Sequence, residues 1–99
     1  MSNSTEISTR PAKTGDAGVI STILRELGWF NHINEESSAD TKARIARHLE
    51  LCNSDESHTV LVGENQNGEV IGYIAVHWLP YLMLAGPECY ISELFVRDI

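Results

Sequence analysis

The chain has 99 residues, enough for one small domain, and its 42% hydrophobic and 21% charged content excludes a disordered or membrane-embedded segment. Its 7 basic and 14 acidic residues give a net charge of −7, which argues against unspecific nucleic-acid binding, where phosphates demand a basic surface. The same acidic excess serves solubility, or attracts cationic small molecules and basic peptides.

The N-terminal stretch MSNSTEISTRPAK lacks an apolar core and so is no secretory signal. Without one, Cys52 and Cys89 are expected as reduced thiols in a cytoplasmic protein. Residues 1–6 are polar and expected to be loose. Ile7 to Pro11 predicts a short first strand, ended by the proline. In TGDAGVISTILRELG, Val19, Ile20, Ile23, Leu24 and Leu27 fall on one helical face. Asp16 or Thr14 supplies the N-terminal cap, and Gly28 stands where a left-handed closing residue is wanted.

WFNHINEESS reads as a polar connection opening with two aromatics. Ser37 and Asp40 then have the spacing of a capping box. The second helix behind them puts Ile45, Ala46, Leu49 and Cys52 on its inner face, with Lys42, Arg44, Arg47 and Glu50 mostly off it. HTVLVGENQNGEVIGYIAVHWL predicts a hairpin, two β-branched runs around Asn67-Gly68. The second run carries Val70, Ile74, Val76 and Trp78 on one face and Ile71, Tyr73, Ala75 and Leu79 on the other, as a strand covered on both sides would. Gly72 within it signals a bulge or a close backbone approach. His77 and Pro80 interrupt the long apolar run VIGYIAVHWLPYLMLAG, so it predicts strand and turn rather than a membrane span. Cys89 to Arg97 predicts the last strand. The order β-α-α-β-β-β implies a single α+β domain over 1–99, a mainly antiparallel sheet flanked by helices.

Chemistry is sparse in this pattern. His32, His48, His58 and His77 fall in different elements without i, i+4 pairing, so no metal site is expected and each reads as a surface or loop histidine. No nucleophile motif or phosphate-binding glycine pattern occurs. Glu93 stands out, a carboxylate amid the apolar YISELFV. Carboxylates shielded from water hold their protons more tightly, which suits a general base. The other readings of Glu93 are a carboxylate satisfied by backbone donors at a bulge, or one facing solvent at a strand edge.

GEVIGYIAVHW, a loop, then YISELFVRD resembles the central hairpin and fourth strand of the GNAT superfamily of acyl-CoA-dependent N-acyltransferases, and ISTRPAKTGDAGVISTILRELG resembles that family's opening strand and helix. The resemblance runs from about Ile7 to Asp98 and implies acetyl transfer from acetyl-CoA to a primary amine by direct attack. It implies that backbone groups of Leu94, Phe95 and Val96 hydrogen-bond the thioester oxygen and pantetheine amides, in the manner of an oxyanion site. Glu93 would be the base, directly or through a water oriented by Ser92. Trp29, Phe30, His32, Glu35 and Glu36 would line the acceptor site, the acceptor being a small amine or a peptide amine.

After LFVRD the family continues with a glycine-rich R/Q-x-x-G-x-G/A loop opening a helix that binds the CoA pyrophosphate. The sequence stops at Ile99, before that loop. The chain therefore reads as a partial domain, truncated ahead of its pyrophosphate site. An uncovered last strand, Tyr90 to Val96, is then expected to pair with a second copy as a homodimer, or with a partner. The rival reading is a non-catalytic half-domain acting through that edge.

Overall fold

The computed structural model describes residues 6–98. Four strands form one antiparallel sheet in the order β1-β2-β3-β4: β1 is Ser8–Pro11, β2 His58–Glu64, β3 Val70–Leu79 and β4 Glu88–Val96. One turn of 3-10 helix, Thr14–Asp16, leads into α1 (Ala17–Leu27), then a short α2 (Asn31–Glu35) and α3 (Ser38–Ser54). The expectation for residues 1–5 lies outside the described residues.

The helix boundaries follow their sequence signals, except at one cap, and with one addition. Gly28 takes φ 69° and closes α1 with its N–H on Leu24 O, a conformation that costs glycine no side-chain clash. Ser37 caps α3, its side chain accepting from the Asp40 N–H at 3.1 Å. Asp16 precedes α1 but makes no side-chain cap. Its carboxylate instead accepts from the Lys13 N–H at 2.7 Å and from two Arg10 nitrogens at 2.8 and 2.9 Å. The addition is α2, which replaces the expected polar connection because Ile33 is buried there and anchors the turn.

The core lies on one face of the sheet. Ile20, Ile23 and Leu24 of α1 and Ile45 and Leu49 of α3 pack with Val62, Val70 and Tyr73 of the strands. Arg25 ties the helices together: its Nη1 donates to Ile33 O, Glu36 O and Thr41 Oγ1 at 3.0 to 3.2 Å.

The predicted two-sided cover of β3 does not hold for the described residues. Tyr73 and Ala75 are buried, whereas Ile74 and Val76 on the other face are only half-buried and Trp78 is exposed. Val70 also changes sides. The ladder slips between Gly63/Glu64 and Gly72/Val70, leaving Ile71 as an extra residue, and Val70 joins the core instead of the Ile74 face. Gly72 sits beside this irregularity, and a Cβ there would meet Phe95 O at 2.7 Å, so both expectations for this glycine are met. At the hairpin tip only Gly68 takes positive φ, 77°. Asn65 holds the turn through Oδ1, which accepts from the N–H groups of Asn67 and Glu69.

Candidate active site

The site is organised by a single irregularity in β4. Ala75 pairs with Glu93 but Val76 pairs with Ile91, so Ser92 is one residue more than the ladder needs. In an unbroken strand Ser92 and Glu93 would point to opposite faces. The bulge turns both toward the helix-covered face. Ser92 Oγ meets His77 Nε2 at 2.7 Å, and Glu93 Oε1 accepts from the Tyr73 hydroxyl at 2.8 Å.

A cavity of about 810 Å³ opens between this face and the helices. Val60, Tyr73, Ala75 and Glu93 form its sheet side, Ile45, Leu49 and Cys52 of α3 the opposite wall, and Phe30 and His32 a third. All four histidines of the chain reach it. Among the described residues no group of three or more His, Cys, Asp or Glu is arranged to hold a metal ion.

His58 and His77 face each other across β2 and β3, their rings edge to face with centroids 4.6 Å apart. His58 is anchored from below, with Nδ1 2.9 Å from Ser57 Oγ and 3.4 Å from Asp55 Oδ2. The Asp55 carboxyl is held below its ordinary pKa, first by the Ser57 N–H, then by the Ser57 hydroxyl. It is therefore an anion at neutral pH. Burial, then the charges of Asp55 and Glu93, pushes the Cys52 thiol up, so Cys52 is a poor source of thiolate. Burial, with Glu93 adding to it, also pushes the Tyr73 phenol up and keeps it a hydrogen-bond donor.

Ser92 and Glu93 thus share one face, and Glu93 stands as one of its readings had it, facing solvent on a strand edge. Glu93 is exposed rather than shielded from water, because β4 is an edge strand and its apolar neighbours Ile91 and Leu94 turn to the other face.

Leu94, Phe95 and Val96 are not equivalent. The Arg97 N–H donates to Ile71 O at 2.7 Å, so antiparallel alternation directs the peptide groups of Phe95 to Tyr73. Those of Leu94 and Val96 point out of the sheet edge. The Phe95 ring packs on Trp29, Phe30 and Tyr73 at centroid distances of 5.7, 6.0 and 5.8 Å.

The acceptor residues predicted from the helix connection divide in the same way. Phe30 and His32 line the cavity, whereas Trp29, Glu35 and Glu36 do not. Trp29 leans on Phe95 with its ring largely exposed. Glu36 pairs with Arg44, which holds its carboxyl below the ordinary range and neutralises the charge it was expected to offer an amine. Glu35 ends α2, exposed.

Asp55 and Tyr73 were not anticipated as site residues, and His48, His58 and His77, read as surface or loop histidines, line the cavity instead. The spacing held a signal for some of them. His48 shares the inner helical face of Ile45, Leu49 and Cys52, and His77 shares the strand face of Tyr73 and Ala75.

No family model and no curated protein matches the sequence. Solved structures do match its backbone. A transcriptional regulator from Bacillus halodurans superposes with a TM-score of 0.76 at 19% identity, over 94% of this chain and 61% of that one. The PaiA N-acetyltransferase from Thermoplasma acidophilum, in complex with coenzyme A, gives 0.66 at 14% identity, over 94% and 60%. Glucosamine-6-phosphate N-acetyltransferase from Arabidopsis thaliana gives 0.65 at 16%, over 94% and 61%. The chain spans about three fifths of the length of each. With its antiparallel sheet, its bulged last strand and the helices on one face, the chain has the fold of the GNAT acetyltransferases.

Proposed function

We propose that the protein takes part in acetyl transfer from acetyl-CoA, consumed as a substrate, to a primary amine. The observation that carries this reading is the Ser92 bulge, which puts Ser92 on the same face as Glu93 and against His77, both of the cavity lining, and leaves the peptide groups of Leu94 and Val96 on the open edge. An amide-bearing chain such as pantetheine can pair with such an edge as a further strand would. Outward N–H groups there would also receive charge developing on a thioester oxygen. A neighbour of this fold binds coenzyme A, and another is named for glucosamine-6-phosphate, which supports a small amine as acceptor. Phe30 and His32 form the wall against which the acceptor rests. Glu93 draws the ammonium to the bulge and accepts its first proton, directly or through a water oriented by Ser92. Free Cys52 and Cys89 and a CoA thioester substrate support a cytoplasmic setting.

Calorimetric titration with acetyl-CoA, followed by a thiol-release assay over a panel of amines, tests the reading. Saturable binding and amine-dependent release of CoA are expected. Neither binding nor release with any amine would overturn it.

A second reading has its own observation. Ile91, Leu94 and Val96 are 50, 59 and 62% exposed on the edge strand β4, an apolar row suited to pairing with another copy of the chain. Because the Phe95 ring is turned to the aromatic cluster, Leu94 is the position to probe. Light scattering should give a dimer for the unaltered protein and a monomer for Leu94→Lys. A monomer at high concentration in both cases rejects this second reading.

A further inference from the structure

Acetyl transfer to a protonated amine sheds two protons, and Glu93 accounts for only one of them. We propose that His77, acting through the Ser92 hydroxyl, is the acceptor of the second. This rests on the acetyl-transfer reading and deepens it.

The ammonium first loses a proton to Glu93. The free nitrogen then attacks the thioester carbon, forming the N–C bond and leaving nitrogen positively charged. As the C–S bond breaks, the nitrogen sheds its second proton. Ser92 Oγ takes that proton while its own passes to His77 Nε2, 2.7 Å away. Neutral imidazole is the side chain suited to this exchange near neutral pH. The departing thiolate ends with one proton and water with the other, which balances the reaction.

The surroundings of His77 favour the role. The bulge alone brings Ser92 onto this face, since regular alternation from Glu93 would turn it away. His58 braces the His77 ring edge to face, and is itself anchored by Ser57 and Asp55. The titratable groups around the pair are His48 and Cys52 of α3, Asp55 beyond its end, Tyr73 of β3, and Glu93 and Tyr90 of β4. Burial keeps Tyr73 and Cys52 protonated, and Asp55 stays ionised through its Ser57 hydrogen bonds. The limb of a pH profile in the imidazole range is therefore informative about the histidines.

The test compares His77→Gln, Ser92→Ala, their double variant and Glu93→Gln by the pH dependence of kcat/KM, with folding checked by circular dichroism. His77→Gln should lower kcat at least 10-fold and abolish the rising limb of the pH profile. Ser92→Ala should do the same, and the double variant no worse, since the two side chains act in series. Glu93→Gln should slow the reaction yet keep that limb. Ser92 is exposed, so its variant carries the test if His77→Gln fails to fold. A limb that survives in Ser92→Ala, or losses that multiply in the double variant, would overturn the assignment while leaving acetyl transfer standing. No transfer by the unaltered protein to any amine would overturn both.

Discussion

The Tyr73 hydroxyl donates to Glu93 Oε1 at 2.8 Å across the β3–β4 ladder, joining a buried phenol to an exposed carboxylate. Tyr73→Phe removes the donor and should cost about 1 kcal/mol of stability in urea unfolding. The pH dependence has a definite sign. The phenol ionises at its ordinary 10.0 in the unfolded chain and higher in the folded one, because burial and Glu93 disfavour the phenolate. Stability is thus fully present below about pH 10 and declines as the pH rises above it. Tyr73→Phe should flatten that decline, which denaturation midpoints across this range will show.

Asp16 gives the opposite profile. Its carboxyl lies below the ordinary 3.8, first because Arg10 hydrogen-bonds it, with Lys13 N–H assisting against the cost of burial. Its contribution is complete above the unfolded value and is lost as the pH falls through the lower folded value. Asp16→Asn should cost about 2 kcal/mol at neutral pH. The difference between the two proteins should shrink on acidification below about pH 4, measured by thermal unfolding.

Gly72→Ala places a methyl group 2.7 Å from Phe95 O and 3.2 Å from Val96 Cα, both backbone atoms that cannot rotate away. We expect about 1–3 kcal/mol of destabilisation and a displaced β4. Loss of the ring-current shifts among Tyr73, Phe95 and Trp29 in NMR spectra would report the displacement. Unaltered shifts with unaltered stability would contradict it.

Arg25→Met keeps the aliphatic stem but strips three acceptors of their donor, two of them carbonyls in and beyond α2. A loss of about 2 kcal/mol is expected. Hydrogen exchange should quicken from residue 31 to 41 more than in β2 or β3. Uniform quickening would show that the guanidinium holds the whole fold rather than this corner.

Much of the fold was legible because apolar spacing, caps and turn residues agreed. Ser37 and Gly28 bounded their helices, and Gly72 announced its close approach to β4. What escaped was two-dimensional. The alternation along β3 could not reveal that Val70 crosses to the core, since that depends on a slip against β2. For the same reason Ser92 and Glu93 could be proposed as neighbours in sequence but not as neighbours on a face. The histidines were dispersed along the chain, and only the pairing of β2 with β3 brings His58 against His77. Glu36 was an attractive anion in the sequence, and its neutralisation by Arg44 required knowing how α2 meets α3.

Ser92 acts as a change of phase within β4. Counted back from Phe95, every side chain beyond the bulge sits one step out of rhythm with those before it, so Tyr90 lies opposite His77 and Ile91 opposite Val76. Deleting Ser92 would leave these pairs and faces as they are; drawing Ser92 into regular pairing, by contrast, would set it opposite Val76, Ile91 opposite His77 and Tyr90 opposite Trp78, while Glu93 and Phe95 kept their places. An isoleucine would then stand against the His77 imidazole and a tyrosine on the exposed face. Whether a single residue is left out of the ladder therefore decides whether this end of the sheet is polar toward the cavity or apolar.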